Sequence, residues 1–181
     1  MEAGLKAHAA TFKKYPPGKS GLSDLVLFDL IVFDQPWGVG PVMLIPTATK
    51  DELGTEKRAI GPAVGFVASS RKLLWGAFNQ NLFSFAGDDD RKDVNVSILQ
   101  PIISYSLPNQ WSIGTSEMNI TYDWEEDDWT ALPLGVKLAK LVKFGTLPVQ
   151  FSGAYEYNFQ DDYVAPEWTV NFTVKFLFPI R

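Results

Sequence analysis

The last stretch of the chain alternates strictly between large apolar and smaller polar side chains. Between residues 168 and 178 the apolar positions are Trp168, Val170, Phe172, Val174, Phe176 and Phe178. A period of two over such a length is typical of a β-strand with one apolar and one polar face. The segment 149–159 has the same pattern, and a polar loop at 160–167 separates the two. The pair therefore predicts a long antiparallel hairpin.

Similar alternation predicts seven further strands nearer the N-terminus, at 22–33, 37–46, 58–68, 73–86, 94–106, 111–124 and 130–142. The connections between these strands alternate between short turns and longer acidic loops. One segment, 133–145, also fits an amphipathic helix, because Pro133 opens it and Gly145 ends it around leucines at helical spacing. We favour a strand there, since a strand preserves the hairpin repeat. The chain is thus predicted to be all-β.

Composition excludes several other classes. The 181 residues include no cysteine, so disulfide scaffolds, cysteine-zinc sites and cysteine nucleophiles are ruled out. The net charge of −5 gives no basic surface for nucleic acid. A single histidine, His8, leaves almost no material for Ser-His-Asp catalysis or a multi-histidine metal site. No apolar stretch is long enough for a transmembrane helix.

Aromatic residues gather at the ends of the predicted strands. A soluble core does not require this, whereas indole rings prefer the boundary between lipid and water. We therefore predict an antiparallel transmembrane β-barrel with about nine or ten strands in this chain. Its aromatic girdle comprises Trp37, Trp75, Trp111, Trp124, Trp129, Trp168 and Phe178. The alternative is a soluble, lipocalin-like barrel that binds a hydrophobic ligand, although such a barrel needs a heavily charged outer face.

Several motifs also carry a resemblance to a known family. They are GPV followed by PTAT in the segment 36–66, SFAGDDDR at 84–91, LQP at 99–101 and FLFP at 176–179. In this order they resemble the outer-membrane family of meta-pathway phenol-degradation proteins, whose members are often called transporters. The resemblance covers residues 20–181. It implies a bacterial outer-membrane barrel of about twelve strands that passes small hydrophobic or aromatic compounds.

The resemblance has consequences for domain organisation and partners. Family members begin with a signal peptide and further strands, which this sequence lacks, so we expect a truncated chain. Residues 22–181 form the predicted barrel domain, and 1–21 an N-terminal segment in which 4–12 can add a tenth strand before an outer loop. The implied partners are the lipid bilayer, lipopolysaccharide, a small apolar solute and the machinery that assembles outer-membrane barrels.

Charged residues on the predicted polar faces are candidates for lining the lumen. They are Glu117, Asp123, Lys137, Glu156 and Lys175. If the loop at 125–129 joins two continuous strands, Glu117 lies directly opposite Lys137, and we predict an ion pair between them. Such charges either satisfy one another inside a narrow lumen or form a selectivity constriction. Both interpretations stay open.

The outer loops are strongly acidic, with fourteen of the 21 acidic residues in or beside them. Solvated loops are the simpler interpretation, and a vestibule that attracts cations is the alternative. Asp88, Asp89 and Asp90 superficially resemble a calcium loop but lack its spacing and terminal glutamate. We assign no metal, cofactor or catalytic residue. Ser84 and Ser97 lack a recognisable base near them in the sequence, so a barrel enzyme acting on lipids ranks last.

Overall fold

The computed structural model describes residues 21–33, 36–145, 147–160 and 167–177. Within these ranges the protein is all-β and contains no α-helix. Twelve strands form one antiparallel sheet, which is not closed in the described part of the chain. Among the described residues, none lies in a helix long and apolar enough to cross a membrane. The candidate strand at 4–12, its loop and His8 lie outside the described ranges.

The strands follow the chain in order and mostly pair with their sequence neighbours. They are β1 Leu25–Phe28, β2 Ile31–Val32, β3 Trp37–Ile45, β4 Lys57–Ser70, β5 Leu73–Gly87, β6 Asn95–Ser106, β7 Trp111–Thr115, β8 Ile120–Asp123, β9 Asp128–Ala131, β10 Pro133–Phe144, β11 Leu147–Asn158 and β12 Trp168–Phe176. The main path through the sheet is β1-β3-β4-β5-β6-β7-β10-β11-β12, while β2 pairs with β3, and β8 with β6 and β9. Short 3₁₀ turns occupy Asp51–Leu53 and Pro108–Gln110.

The predicted strands are confirmed in position, but three of them are interrupted. The first breaks between β1 and β2, where Asp29 N donates to Pro41 O, and Pro41 has no N–H to donate in return. The predicted strand 111–124 breaks between β7 and β8, where Gly135 N donates to Met118 Sδ instead of a backbone oxygen. The third breaks at Leu132, whose N–H donates to the side chain of Asn158. Side chains have replaced ladder partners at two of these breaks.

The helical alternative for 133–145 is wrong. β10 pairs with β11 over its whole length, from Pro133 opposite Asn158 to Phe144 opposite Leu147. The predicted hairpin of the last two strands is confirmed as well, with Val149 opposite Phe176.

Two compact units can be distinguished. The first contains the described parts of Met1–Phe66, Phe78–Leu99 and Thr121–Thr130. Its less exposed sheet face packs apolar side chains, which include the fully buried Val42 and the tilted ring pair Phe28 and Phe78, 4.9 Å apart. The buried side chains of this unit are therefore mainly apolar, although Lys57 and Gln80 are buried as well.

The second unit contains the described parts of Val67–Ala77, Gln100–Ile120 and Ala131–Arg181, and its two sheet faces differ sharply. We call the face of β10–β12 that carries the large side chains the apolar face; it bears Leu134, Val136, Leu138, Phe151, Tyr155, Tyr157, Val170, Phe172, Val174 and Phe176. All ten are exposed. The opposite, polar face bears small and polar residues such as Ser152, Ala154, Asn171 and Thr173. Apart from the buried Val149, the large apolar side chains thus lie on the more exposed of the two faces, the reverse of a soluble sheet.

Candidate functional site

A cluster of charged residues lies on the polar face of the second unit. Antiparallel pairing sets Lys137 beside Ala154 and Gly135 beside Glu156. The next ladder sets Gln150 beside Lys175. Since paired residues share a face, the backbone alone puts Lys137, Glu156 and Lys175 on the polar face, as the alternation predicted. We call these three residues and Glu117 the charged cluster.

Glu117 enters this cluster from the segment between β7 and β8 rather than from a strand. Its Oε1 lies 2.9 Å from Lys175 Nζ, and both side chains are substantially exposed. The predicted position of Glu117 directly opposite Lys137 is wrong, because Lys137 lies opposite Gly114. The break at 116–119 shifts the register by three residues from that of a continuous strand. The two residues still belong to one cluster, since the charge of Glu117 acts on Lys137.

Glu156 is held by two neutral partners. Ser116 Oγ donates to Glu156 Oε2 at 2.9 Å, and Asn171 Nδ2 lies 3.4 Å from Oε1. Ser116 itself is buried. Gly135 leaves the space for this contact, because a side chain there would overlap the Ser116 hydroxyl and the Glu156 stem. Ser116 was not predicted from the sequence, because it lies forty residues from Glu156 and gives no local signal.

Lys137 is half-buried and surrounded by small residues. Gly114 and Ala154 are its neighbours on the two adjoining strands. Within the described ranges, the Lys137 ammonium makes no hydrogen bond and no salt bridge, although the charges of Glu117 and Lys175 both act on it. Both carboxylates of the cluster and the ammonium of Lys175 therefore have direct partners. The ammonium of Lys137 has none among the described residues.

Asp123, the fifth predicted lumen residue, belongs to the first unit and closes a loop there. Its Oδ1 accepts hydrogen bonds from the backbone N–H groups of Glu125 and Glu126. Its Oδ2 lies 3.0 Å from Lys92 Nζ. These contacts tie the turn after β8 to the loop before β6, which gives Asp123 a role in loop structure.

Basic residues pair with several carboxylates of the acidic loops. Lys57 Nζ lies 2.8 Å from Asp93 Oδ1, and Arg91 lies 3.2 Å from Glu56. The pKa of Asp93 lies below its ordinary value, chiefly because Lys57 donates a hydrogen bond to the charged carboxylate, with a second one from Ser84. These basic partners were not predicted from the sequence, because each pair joins distant parts of the chain. The loop residues Asp161 and Asp162 lie outside the described ranges.

Lys92 carries a second set of loop contacts. Its ammonium lies 2.8 Å from Glu126 Oε1 in addition to its contact with Asp123. Burial by itself lowers the pKa of Lys92, but hydrogen bonds to Glu126 and Asp123 outweigh it and raise the pKa above its ordinary value. Lys92 therefore keeps its positive charge and links the loop before β6 to the turn after β8.

The aspartates of the GDDDRKD segment form a turn. Asp88 Oδ1 accepts a hydrogen bond from Asp90 N at 2.9 Å, and Asp88 O accepts one from Arg91 N. In the described part of the chain, no group of three or more His, Cys, Asp or Glu side chains could hold a metal ion. The geometry thus assigns Asp88 to turn formation.

All six tryptophans lie at or near strand ends and remain 38% to 59% exposed. Trp37, next to a short turn, packs on Phe66 at a ring distance of 4.7 Å. Trp111, beside another short turn, lies under the ammonium of Lys140 at 4.7 Å. Beside the four-residue acidic turn at 124–127, Tyr122 contacts both Trp124 and Trp129 edge-on. Trp75 and Trp168 are the other two tryptophans. Phe178, the remaining predicted girdle residue, lies outside the described ranges.

The two serines considered as nucleophiles have non-catalytic partners. Ser97 Oγ donates to Asn81 Oδ1 at 2.6 Å and accepts from Trp124 Nε1 at 2.9 Å. An amide oxygen is too weak a base to activate a hydroxyl. Ser84 bonds to Asp93, whose lowered pKa makes the carboxylate a poor proton acceptor.

Comparisons with protein-family models, with curated proteins and with solved structures gave no match.

Proposed function

We propose that this protein is a bacterial outer-membrane β-barrel that provides a passive route for small hydrophobic or aromatic compounds. The observation that carries the proposal is the reversed polarity of β10–β12. Phe172 is 86% exposed in the middle of β12, while Ser152 and Thr173 on the polar face are half-buried. A lipid-facing exterior and a wet interior explain this distribution, because hydrocarbon is the solvent in which exposed Phe and Val are favourable.

The exposed tryptophans support the same proposal. In a bilayer, their rings would mark the two boundaries where each strand leaves the hydrocarbon. Trp37 and Trp111 stand at the starts of β3 and β7, while Trp124 follows the end of β8 and Trp168 begins β12 after the long connection from β11. Both ends of the strands therefore carry amphipathic rings, which a single exposed patch on a soluble protein does not require.

Sheet closure is part of the proposal. In lipid, unpaired N–H and C=O groups along the edges of β1 and β12 have no water to bond with, so the sheet must close or be covered. The family resemblance implies about twelve strands and a role for the outer-membrane assembly machinery. On this basis the acidic loops face outward toward lipopolysaccharide, where Lys57, Arg91 and Lys92 stabilise them.

The transport step is tested in vesicles that contain the purified protein. Uptake of toluene should be faster than in protein-free vesicles and should rise with the amount of folded protein. Uptake no faster than in empty vesicles would contradict transport of apolar solutes. Heat-denatured protein added to the same vesicles controls for membrane leakage that does not depend on the folded protein.

A further inference from the structure

The charged cluster leaves one positive charge without a direct partner. Glu156 accepts from Ser116 and Asn171, and Glu117 Oε1 accepts from Lys175. Lys137 is the exception: within the described residues its ammonium has neither a hydrogen bond nor a salt bridge. A half-buried cation of this kind is stabilised by an anion that approaches from the polar face.

The surroundings of Lys137 leave room for such an anion. Gly114 and Ala154 flank it on the neighbouring strands. Beyond them in the same row are Ser104, opposite Gly114, and Asn171, opposite Ala154. These four described neighbours are all small or of moderate size, which leaves the ammonium approachable along the polar face. Lysine suits the task, because its ammonium is a point charge with three donors that turn to meet the ligand.

The charges nearby restrict which anions fit. The carboxylates of Glu117 and Glu156 belong to the same cluster and repel a ligand with several negative charges. A single carboxylate matches the one ammonium of the cluster that is not already paired with a carboxylate among the described residues, that of Lys137. A phosphate monoester or a dicarboxylate carries more negative charge than this arrangement can balance.

We propose that Lys137 is the anion-binding residue of a subsite for small organic monocarboxylates on the polar face. This inference rests on the proposed function, since it assumes that solutes pass along that face. The subsite gives the route a charge preference. A singly charged aromatic acid binds at Lys137, whereas the uptake of a neutral analogue of the same size does not depend on Lys137.

The test compares benzoate with benzyl alcohol, which has a similar size and no charge. Vesicle uptake of both is measured for the wild-type protein, Lys137→Gln and Lys137→Arg. Lys140→Gln is the matched control, because Lys140 lies on the same strand but on the other face, over Trp111. We expect Lys137→Gln to lower benzoate uptake about five-fold, as one unit-charge contact at ~4 Å in a wet site implies. Uptake of benzyl alcohol should stay near the wild-type rate in every variant. Uptake of benzoate should stay near the wild-type rate in Lys137→Arg and Lys140→Gln.

Direct binding separates the failure of this inference from the failure of transport. Sodium benzoate is titrated calorimetrically into folded protein in micelles, with the same variants. Saturable binding that Lys137→Gln weakens about five-fold supports the subsite even where vesicle uptake is absent. Equal benzoate binding and uptake by the wild-type protein and Lys137→Gln would overturn the subsite and leave uptake of neutral compounds untouched. No saturable benzoate binding by the wild-type protein would overturn it as well.

Discussion

Replacing Phe172 by arginine distinguishes a lipid-facing strand from a water-facing one. Phe172 is the fifth of the nine residues of β12 and is 86% exposed. Four residues on either side, at ~3.4 Å each, put it about 14 Å along the strand from both ends. In a bilayer, this position lies near the midplane of the hydrocarbon.

The magnitude follows from that depth. Arginine at the midplane of a membrane barrel destabilises the folded state by about 2–4 kcal/mol. This corresponds to a loss of about 30- to 1,000-fold in the folding equilibrium constant. The same substitution on a surface in water changes stability by only about 0.5 kcal/mol. Phe172 also covers Gly153, whose ideal Cβ position lies 3.5 Å from the ring, so Phe172→Leu measures the part due to lost packing.

The assay is urea-dependent folding into phospholipid vesicles, followed by tryptophan fluorescence. Thr173→Arg is the matched control, because Thr173 is the next residue, lies on the polar face and pairs with Ser152. We expect Phe172→Arg to be destabilised by about 2–4 kcal/mol and Thr173→Arg to change little. Equal effects of the two arginines, or no effect of Phe172→Arg, would refute a lipid-facing apolar face.

Two further predictions concern packing and charge. Gly135→Ala should destabilise the protein by about 1–3 kcal/mol, because its new Cβ would lie 2.7 Å from the Tyr155 carbonyl oxygen. The control in the same urea titration is Gly153→Ala, whose Cβ would make only ordinary van der Waals contacts. If Gly153→Ala proves the more harmful, the packing argument fails. The folded-state pKa of Asp93 lies below its ordinary value of about 3.9, so its stabilising contribution is complete above that value and is lost as pH falls through the folded pKa. Lys57→Met should raise the pKa of Asp93 in a carboxyl NMR titration, and an unchanged value would contradict the assigned cause.

The strands themselves were predictable, because one apolar and one polar face leave a period of two in the sequence. β10 illustrates this: its leucines also fit a helix, yet Leu134, Val136 and Leu138 alternate with Gly135 and Lys137 as a strand requires. The same alternation correctly put Lys137 on the polar face. The apolar and polar faces of each strand could thus be predicted from the alternation within that strand alone.

The strand breaks and the contacts across the sheet were not predictable, because they depend on which residue a neighbouring strand supplies. The interruption after β7 arises where Met118 Sδ accepts the hydrogen bond of Gly135 N, and nothing near Met118 in the sequence indicates this. That break moved Glu117 away from the position opposite Lys137 and toward Lys175. Ser116 reaches Glu156 from the same segment for the same reason.

The central claim is that the apolar face requires lipid, and far-ultraviolet circular dichroism of the purified chain tests it most directly. The chain is diluted from urea into plain buffer and, in parallel, into detergent micelles. We expect a β-spectrum with a cooperative melting transition in micelles and no such fold in buffer. A cooperative β-fold in plain buffer would contradict the claim and would favour a soluble barrel that binds a hydrophobic ligand.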